Sequence, residues 1–166
     1  MTTSLKAHKT PVHYDSDQNF IIKPFPILGA EIIGIDLSQA LNLRDLARIK
    51  AAYLDHHLLI FRNQDITPEQ QIEFSRLFGI LQIHVLHQFQ LPGHPEIMII
   101  SNIKKNDKPI GLGDAGAYWH SDLSYKEVPS LGSLLYARQL PTEGGDTHFA
   151  DMHQAWATLP EHLQTA

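Results

Sequence analysis

Along the first third of the chain, apolar residues come in short clusters cut by proline and glycine, then switch to a helical spacing. Residues 1–19 are polar, a lead-in without an apolar run. From Phe20 to Asp36 the clusters are interrupted by Pro24, Pro26, Gly29 and Gly34. This predicts short strands joined by tight turns, clearest over residues 31–35. Leu43, Leu46, Ile49 and Tyr53 then recur at helical spacing while Arg44, Asp45, Arg48 and Lys50 fall elsewhere, the pattern of an amphipathic helix. Leu58-Leu59-Ile60-Phe61, within residues 57–62, is compact enough for a buried strand. Thr67-Pro68-Glu69-Gln70 reads as a helix start: Thr67 caps, Pro68 fits the first turn and Gln70 completes a capping box. Ile72, Leu77 and Phe78 are predicted to face the core, with Gly79 ending the helix.

Further on, residues 96–101 read as a strand and 106–116, rich in Gly, Asp and Lys, as an exposed loop. Residues 118–125, 132–138 and 147–150 read as strands, 141–146 as a turn, and 152–159 as the start of a helix or turn. No internal repeat or low-complexity segment breaks this order. Two early helices followed by a rising density of strands fit a β-sandwich or jelly roll with helices packed outside it. An alternating parallel sheet fits less well. The chain stops shortly after Pro160 with a helix still running. Residues 20–166 are therefore expected to form the N-terminal and central part of one domain, incomplete at its C-terminal side.

Composition narrows the chemistry. The 166 residues are 43% hydrophobic and 19% charged, values of an ordinary globular protein. A net charge of −5 leaves no basic footprint for nucleic acid, and no apolar run approaches a membrane span of about 18 residues. A cytoplasmic protein without membrane or nucleic-acid partners is the expectation. The absence of cysteine excludes thiolate catalysis and zinc–thiolate sites, so a transition metal would be held by His, Asp or Glu. Eleven histidines make such a site worth seeking.

His120 and Asp122 stand two apart in a segment read as a strand, where side chains at i and i+2 share a face. Imidazole and carboxylate could then converge on one ion, and a hard oxygen beside a borderline nitrogen suits iron(II). Alone, a His-x-Asp pair is a weak signal: it is more often a surface histidine beside a helix- or turn-capping aspartate.

The surrounding residues carry a resemblance. Trp119-His120-Ser121-Asp122, then Pro129, then Leu140-Pro141-Thr142-Glu143-Gly144-Gly145-Asp146-Thr147, is similar to the central signature of the TauD/TfdA family, the taurine and 2,4-D dioxygenases. Gly29-Ala30-Glu31 leading to Gly34-Ile35-Asp36-Leu37, Phe61-Arg62-Asn63-Gln64, and Phe74 to Gly79 resemble its earlier segments in the same order. The resemblance implies a double-stranded β-helix, or jelly roll, with flanking helices. It also implies Fe(II), 2-oxoglutarate as cosubstrate and O2. The implied reaction hydroxylates a small anionic organic substrate, taurine- or sulfonate-like, through a ferryl-oxo species, releasing succinate and CO2.

Residue by residue, the resemblance implies that His120 and Asp122 are the first two iron ligands and catalytic residues, and that the Thr147 hydroxyl bonds the distal carboxylate of 2-oxoglutarate. His84 aligns with a histidine that contacts the substrate's anionic group, although a histidine ending an apolar segment also suits a structural role. His87 stands where taurine-type members tend to have Tyr, and Gly116 where they carry Asn, which weakens any assignment to taurine itself. The family's third iron ligand, a distal His, and its 2-oxoglutarate-binding Arg lie downstream of Thr147. Arg138 precedes Thr147 and cannot be that arginine. His148 should point away from the pocket, and His153 and His162 read as surface residues.

Three readings stay open on these grounds. The first is an iron/2-oxoglutarate hydroxylase, inactive as this chain alone and possible as a homo-oligomer. The second is a non-catalytic truncated remnant. The third is a different metal protein that recruits His148 or His153 as its third ligand.

Overall fold

A computed structural model describes residues 20–165. β1 (Ile21–Pro24) and β2 (Ala30–Ile33) form an antiparallel hairpin, registered Ile21 to Ile33 and Pro24 to Ala30. Gly29 closes the turn at φ 89°, accepting Phe25 N–H at 2.9 Å. A side chain there would be strained, and its Cβ would also press to 3.1 Å from the Leu58 carbonyl. β3 (Leu59–Phe61) joins β2 in parallel, with Ala30 opposite Leu59 and Ile32 opposite Phe61. Parallel neighbours need a crossover, and α1 (Leu43–His56) provides it.

Asn42 caps α1 by accepting Asp45 N–H and donating its own amide to the Asp45 carboxylate, both at 2.8 Å. Asp45 also faces Arg48, whose guanidinium lies 4.0 Å over the Phe20 ring and donates to the Phe20 carbonyl at 3.2 Å. An acid at the positive helix end, with Asn42 and Arg48 beside its carboxylate, is a tolerable burial. This revises the helical pattern: Asp45 is buried with Ile49 and Ala52, while Leu43, expected inward, is 85% exposed. The reciprocal cap turns the first helical turn so that Asp45, not Leu43, faces the sheet.

α2 (Pro68–Arg76) forms with the predicted capping box, Thr67 and Gln70 exchanging bonds of 2.8 and 3.3 Å. Ile72 and Phe74 are buried, Phe78 is half-buried, and Leu77 turns outward past the helix end. Phe20, Ile32 and Ile49 make one apolar cluster; Leu37, Ile66 and Phe74 make a second. Phe61 and Phe78 pack against both, with edge-to-face contacts to Phe74 at 5.6 and 5.4 Å.

The predicted strand at 96–101 begins earlier, as β5 (His94–Met98), pairing with β4 (Gln90–Leu91) across a Gly93 turn. Arg76–Glu96 at 2.9 Å and His94–Glu69 at 3.2 Å tie this hairpin to α2. Part of the expected loop is ordered as a tight hairpin, β6 (Lys104–Lys105) and β7 (Lys108–Pro109). Its two turn residues, Asn106 and Asp107, both hold positive φ, the conformation two-residue hairpins select.

Residues 118–125, 132–138 and 147–150 are not strands in this structure, against expectation. A strand exists through a ladder of partners, and among the described residues nothing pairs with these segments. They leave Tyr118, Trp119, Leu135 and Phe149 exposed. The expected jelly roll is not closed: the described sheets have three, two and two strands. Helix returns at α3 (Met152–Ala157), capped by Asp151, and α4 (Glu161–Gln164). No helix of the described residues is long and apolar enough to cross a membrane. The lead-in at 1–19 lies outside the described residues.

Two outcomes follow from this packing. Ile49→Ala should cost about 2–5 kcal/mol in denaturant unfolding, whereas Leu43→Ala should stay within about 0.5 kcal/mol; equal losses would contradict the placement of α1. Asp151 accepts Gln154 N–H, and this bond, helped by the nearby His57 and His153, holds its pKa below the ordinary 3.8. A depressed folded pKa stabilises α3 above the unfolded value and loses that contribution as pH falls through the folded one. Protection of the Ala155 amide should therefore persist from neutrality to about pH 5 and decay below about pH 4, and Asp151→Asn, which keeps the acceptor, should flatten the profile.

Candidate metal centre

The approach to His120 begins on the strip after β5. Ser101 N–H donates to the Leu112 carbonyl at 3.0 Å and Leu112 N–H to Ile99 at 2.9 Å, so the β6–β7 hairpin returns the chain alongside Ile99–Ser101. Gly111 permits that approach, because a Cβ there would stand 2.6 Å from the Ile99 carbonyl. Nine residues after Gly111 the chain reaches His120.

His120 Nδ1 lies 2.8 Å from the Tyr118 carbonyl. A carbonyl only accepts, so Nδ1 carries the proton of that bond and Nε2 of the neutral ring presents a lone pair. That lone pair meets another acceptor: Asp122 Oδ1 stands 3.3 Å away. Two lone pairs this close need a cation between them, either a proton on Nε2 or a metal ion. Asp122 Oδ2 accepts the hydroxyl of Ser133. Both side chains thus have an outer partner that sets their orientation, the usual arrangement of metal-ligating imidazoles and carboxylates. They are 55% and 53% exposed, so an ion can reach them. The donors fit iron(II) in kind, as a nitrogen and an oxygen, and supply two positions of a coordination sphere.

Convergence does not arise from strand alternation. Asp122 opens a turn through Tyr125 in which Leu123 takes φ 52° and its carbonyl accepts Lys126 N–H at 3.0 Å. The two side chains of the i, i+2 pair meet, but through a turn rather than the strand the spacing predicted.

The other expected residues are not gathered here. Gly144 and Gly145 take φ 71° and 75° just after a bend at residues 142–143, within the predicted turn, but Thr147 is exposed and makes no hydrogen bond to His120 or Asp122 among the described residues. His84 is half-buried, and its Nδ1 accepts Leu86 N–H at 3.1 Å. That bond is a structural duty and leaves the neutral ring's Nε2–H as a donor. Lys126 Nζ donates to Gln82 Oε1 at 3.0 Å, tying the turn after Asp122 to the segment carrying His84. His153 lies parallel to His57 with ring centroids 4.4 Å apart, and His148 is exposed; neither joins the pair. Among the described residues no three His, Asp or Glu side chains are grouped to hold a metal. The reading in which His148 or His153 completes the site therefore finds no support.

Sequence reasoning missed Ser133 and the tyrosine that fixes its segment. Tyr53 of α1 donates its hydroxyl to the Leu131 carbonyl at 2.8 Å, and a Cβ on Gly132 would collide with that hydroxyl. A glycine inside an apolar run was the available signal, since it marks a close approach.

Comparison with known proteins covers nearly all of this architecture. Residues 21–166 match the model of the taurine catabolism dioxygenase TauD, TfdA family. The alpha-ketoglutarate-dependent 2,4-dichlorophenoxyacetate dioxygenase of Cupriavidus pinatubonensis is 32% identical over 150 residues, covering 84% of this chain and 52% of its own. The crystal structure of a taurine dioxygenase from Burkholderia xenovorans superposes with a TM-score of 0.75 at 30% identity, over 89% of this chain and 50% of that one. AAD-2 in complex with Mn(II) and N-oxalylglycine gives a TM-score of 0.65 at 26% identity, over 88% and 48%. The chain spans about half the length of these relatives. It belongs to the TauD/TfdA dioxygenase family.

Proposed function

We propose that His120 and Asp122 are two of the three protein ligands of an iron(II) centre in a 2-oxoglutarate-dependent dioxygenase with the family's jelly-roll fold. The observation that carries this reading is the meeting of two lone pairs, His120 Nε2 and Asp122 Oδ1, each held from behind by a hydrogen-bond partner. When bound, iron(II), 2-oxoglutarate and O2 supply an oxidative decarboxylation that yields succinate and CO2 and drives hydroxylation of the substrate.

This chain's residues bind and orient. His120 and Asp122 offer one nitrogen and one oxygen to the ion, leaving the rest of its sphere for a third ligand, cosubstrate and oxygen. Thr147 donates its hydroxyl to the distal carboxylate of 2-oxoglutarate, carried to the pocket once its segment is paired as a strand. His84, with Nδ1 engaged by Leu86, donates Nε2–H to the anionic group of the substrate. A small organic anion is the substrate class: the relatives named for 2,4-dichlorophenoxyacetate and taurine point to aryloxy acids or sulfonates. His87 and Gly116 argue against taurine itself. With two grouped ligands, the 166-residue chain alone holds iron weakly and turns over little.

Succinate formation with iron(II), ascorbate, 2-oxoglutarate and a panel of aryloxy acids and sulfonates tests the reading. In a polypeptide of full family length, His120→Ala should abolish succinate. Thr147→Val should mainly raise the 2-oxoglutarate requirement, by the about 0.5–3 kcal/mol of one hydrogen bond. An unchanged requirement rejects the role of Thr147, and undiminished turnover in His120→Ala rejects the metal assignment. Robust turnover by the 166-residue chain would contradict the two-ligand account of it.

A further inference from the structure

We propose that Ser133 is a positioning residue for the metal-binding carboxylate of Asp122, and that Tyr53 and Tyr136 hold Ser133 in place. The inference rests on the reading of His120 and Asp122 as metal ligands.

Asp122 stands in an exposed turn, where a carboxylate would normally rotate freely and present either oxygen, or both, to an ion. The Ser133 hydroxyl removes that freedom. Its single proton goes to Oδ2, which leaves Oδ1, the atom 3.3 Å from His120 Nε2, with its lone pairs open to the ion. The carboxylate is thereby set to bind through one oxygen, on the side that shares a ligand direction with the imidazole.

Ser133 is itself exposed and outside regular structure, so its own position needs a cause. Two tyrosine hydroxyls supply it, one on each side. Upstream, Tyr53 donates to the Leu131 carbonyl at 2.8 Å, and a Cβ on Gly132 would displace that hydroxyl. Downstream, Tyr136 donates to the Gln64 carbonyl at 3.1 Å and accepts Ile66 N–H at 3.4 Å. Gln64 is anchored in turn by Leu37 N–H at 2.8 Å and the Ile35 carbonyl at 2.9 Å. Ser133 thus hangs between α1 and the loop before α2, and transfers the rigidity of both to a carboxylate that has none of its own.

Mn(II) binding to the 166-residue chain, read by paramagnetic broadening of the His120 imidazole resonances, tests this without turnover. The isosteric pair Ser133→Thr and Ser133→Val separates hydroxyl from shape, and thermal unfolding of each variant checks the fold. Ser133→Thr should bind as wild type. Ser133→Val should weaken Mn(II) roughly 10-fold, the lower end for loss of an outer-shell partner. Tyr53→Phe should weaken binding in the same direction. In an Asp122→Asn background, Ser133→Val should add nothing. Equal affinity of the Thr and Val variants, or an equal loss in the Asp122→Asn background, overturns the positioning role while leaving the metal pair intact. Absence of selective broadening at His120 in the wild type would instead reject the metal pair, and the proposal with it.

Discussion

Ile49 of α1 packed against Ile32 of β2 is the contact from which the rest of the molecule is hung. Both side chains are almost wholly removed from water, with Phe20 completing the cluster. Burying each contributes about 1.5–3 kcal/mol, above the about 0.5–1.5 kcal/mol of a typical neutral hydrogen bond. One helical turn beyond Ile49, Tyr53 projects from the same side of α1 and reaches the backbone at Leu131. From there the order of cause runs outward through Gly132 and Ser133 to Asp122 and His120. A half-exposed pair of side chains in an irregular segment thus takes its geometry from a dry contact in another part of the fold.

Electrostatics supplies the second constraint. The Tyr118 carbonyl dictates which ring nitrogen of His120 keeps its proton, and Ser133 dictates which oxygen of Asp122 is occupied. Each partner acts on the far side of its residue. What remains on the near side is a pair of acceptors that only a cation reconciles. Membership of a dioxygenase family and this local frustration point the same way, although they arise from different observations.

Legibility in the sequence followed the range of the interactions involved. The capping box at Thr67 and Gln70 is written in four adjacent residues and formed as read. The crossover helix and β3 were legible because a helical period and a compact apolar run are local patterns. Leu43 was misassigned because periodicity cannot see that Asn42 and Asp45 bond each other and rotate the first turn. The strands at 118–125, 132–138 and 147–150 were read from composition, but a strand is a property of two segments, and no partner lies beside these among the described residues. His120 and Asp122 were singled out by spacing and resemblance, while the turn that follows them holds Leu123 at positive φ, a conformation no pattern rule assigns to leucine. Ser133, Tyr53 and Tyr136 were invisible for a similar reason: a hydroxyl eleven residues from the carboxylate it serves, and two others more than seventy residues from theirs, leave no local trace.

Anomalous diffraction from crystals of the 166-residue chain soaked in Mn(II) tests the central claim most directly. A single peak within bonding distance of both His120 Nε2 and Asp122 Oδ1, with the Ser133 hydroxyl still on Oδ2, is the predicted result. A map with its metal peaks elsewhere and none at this pair would contradict it.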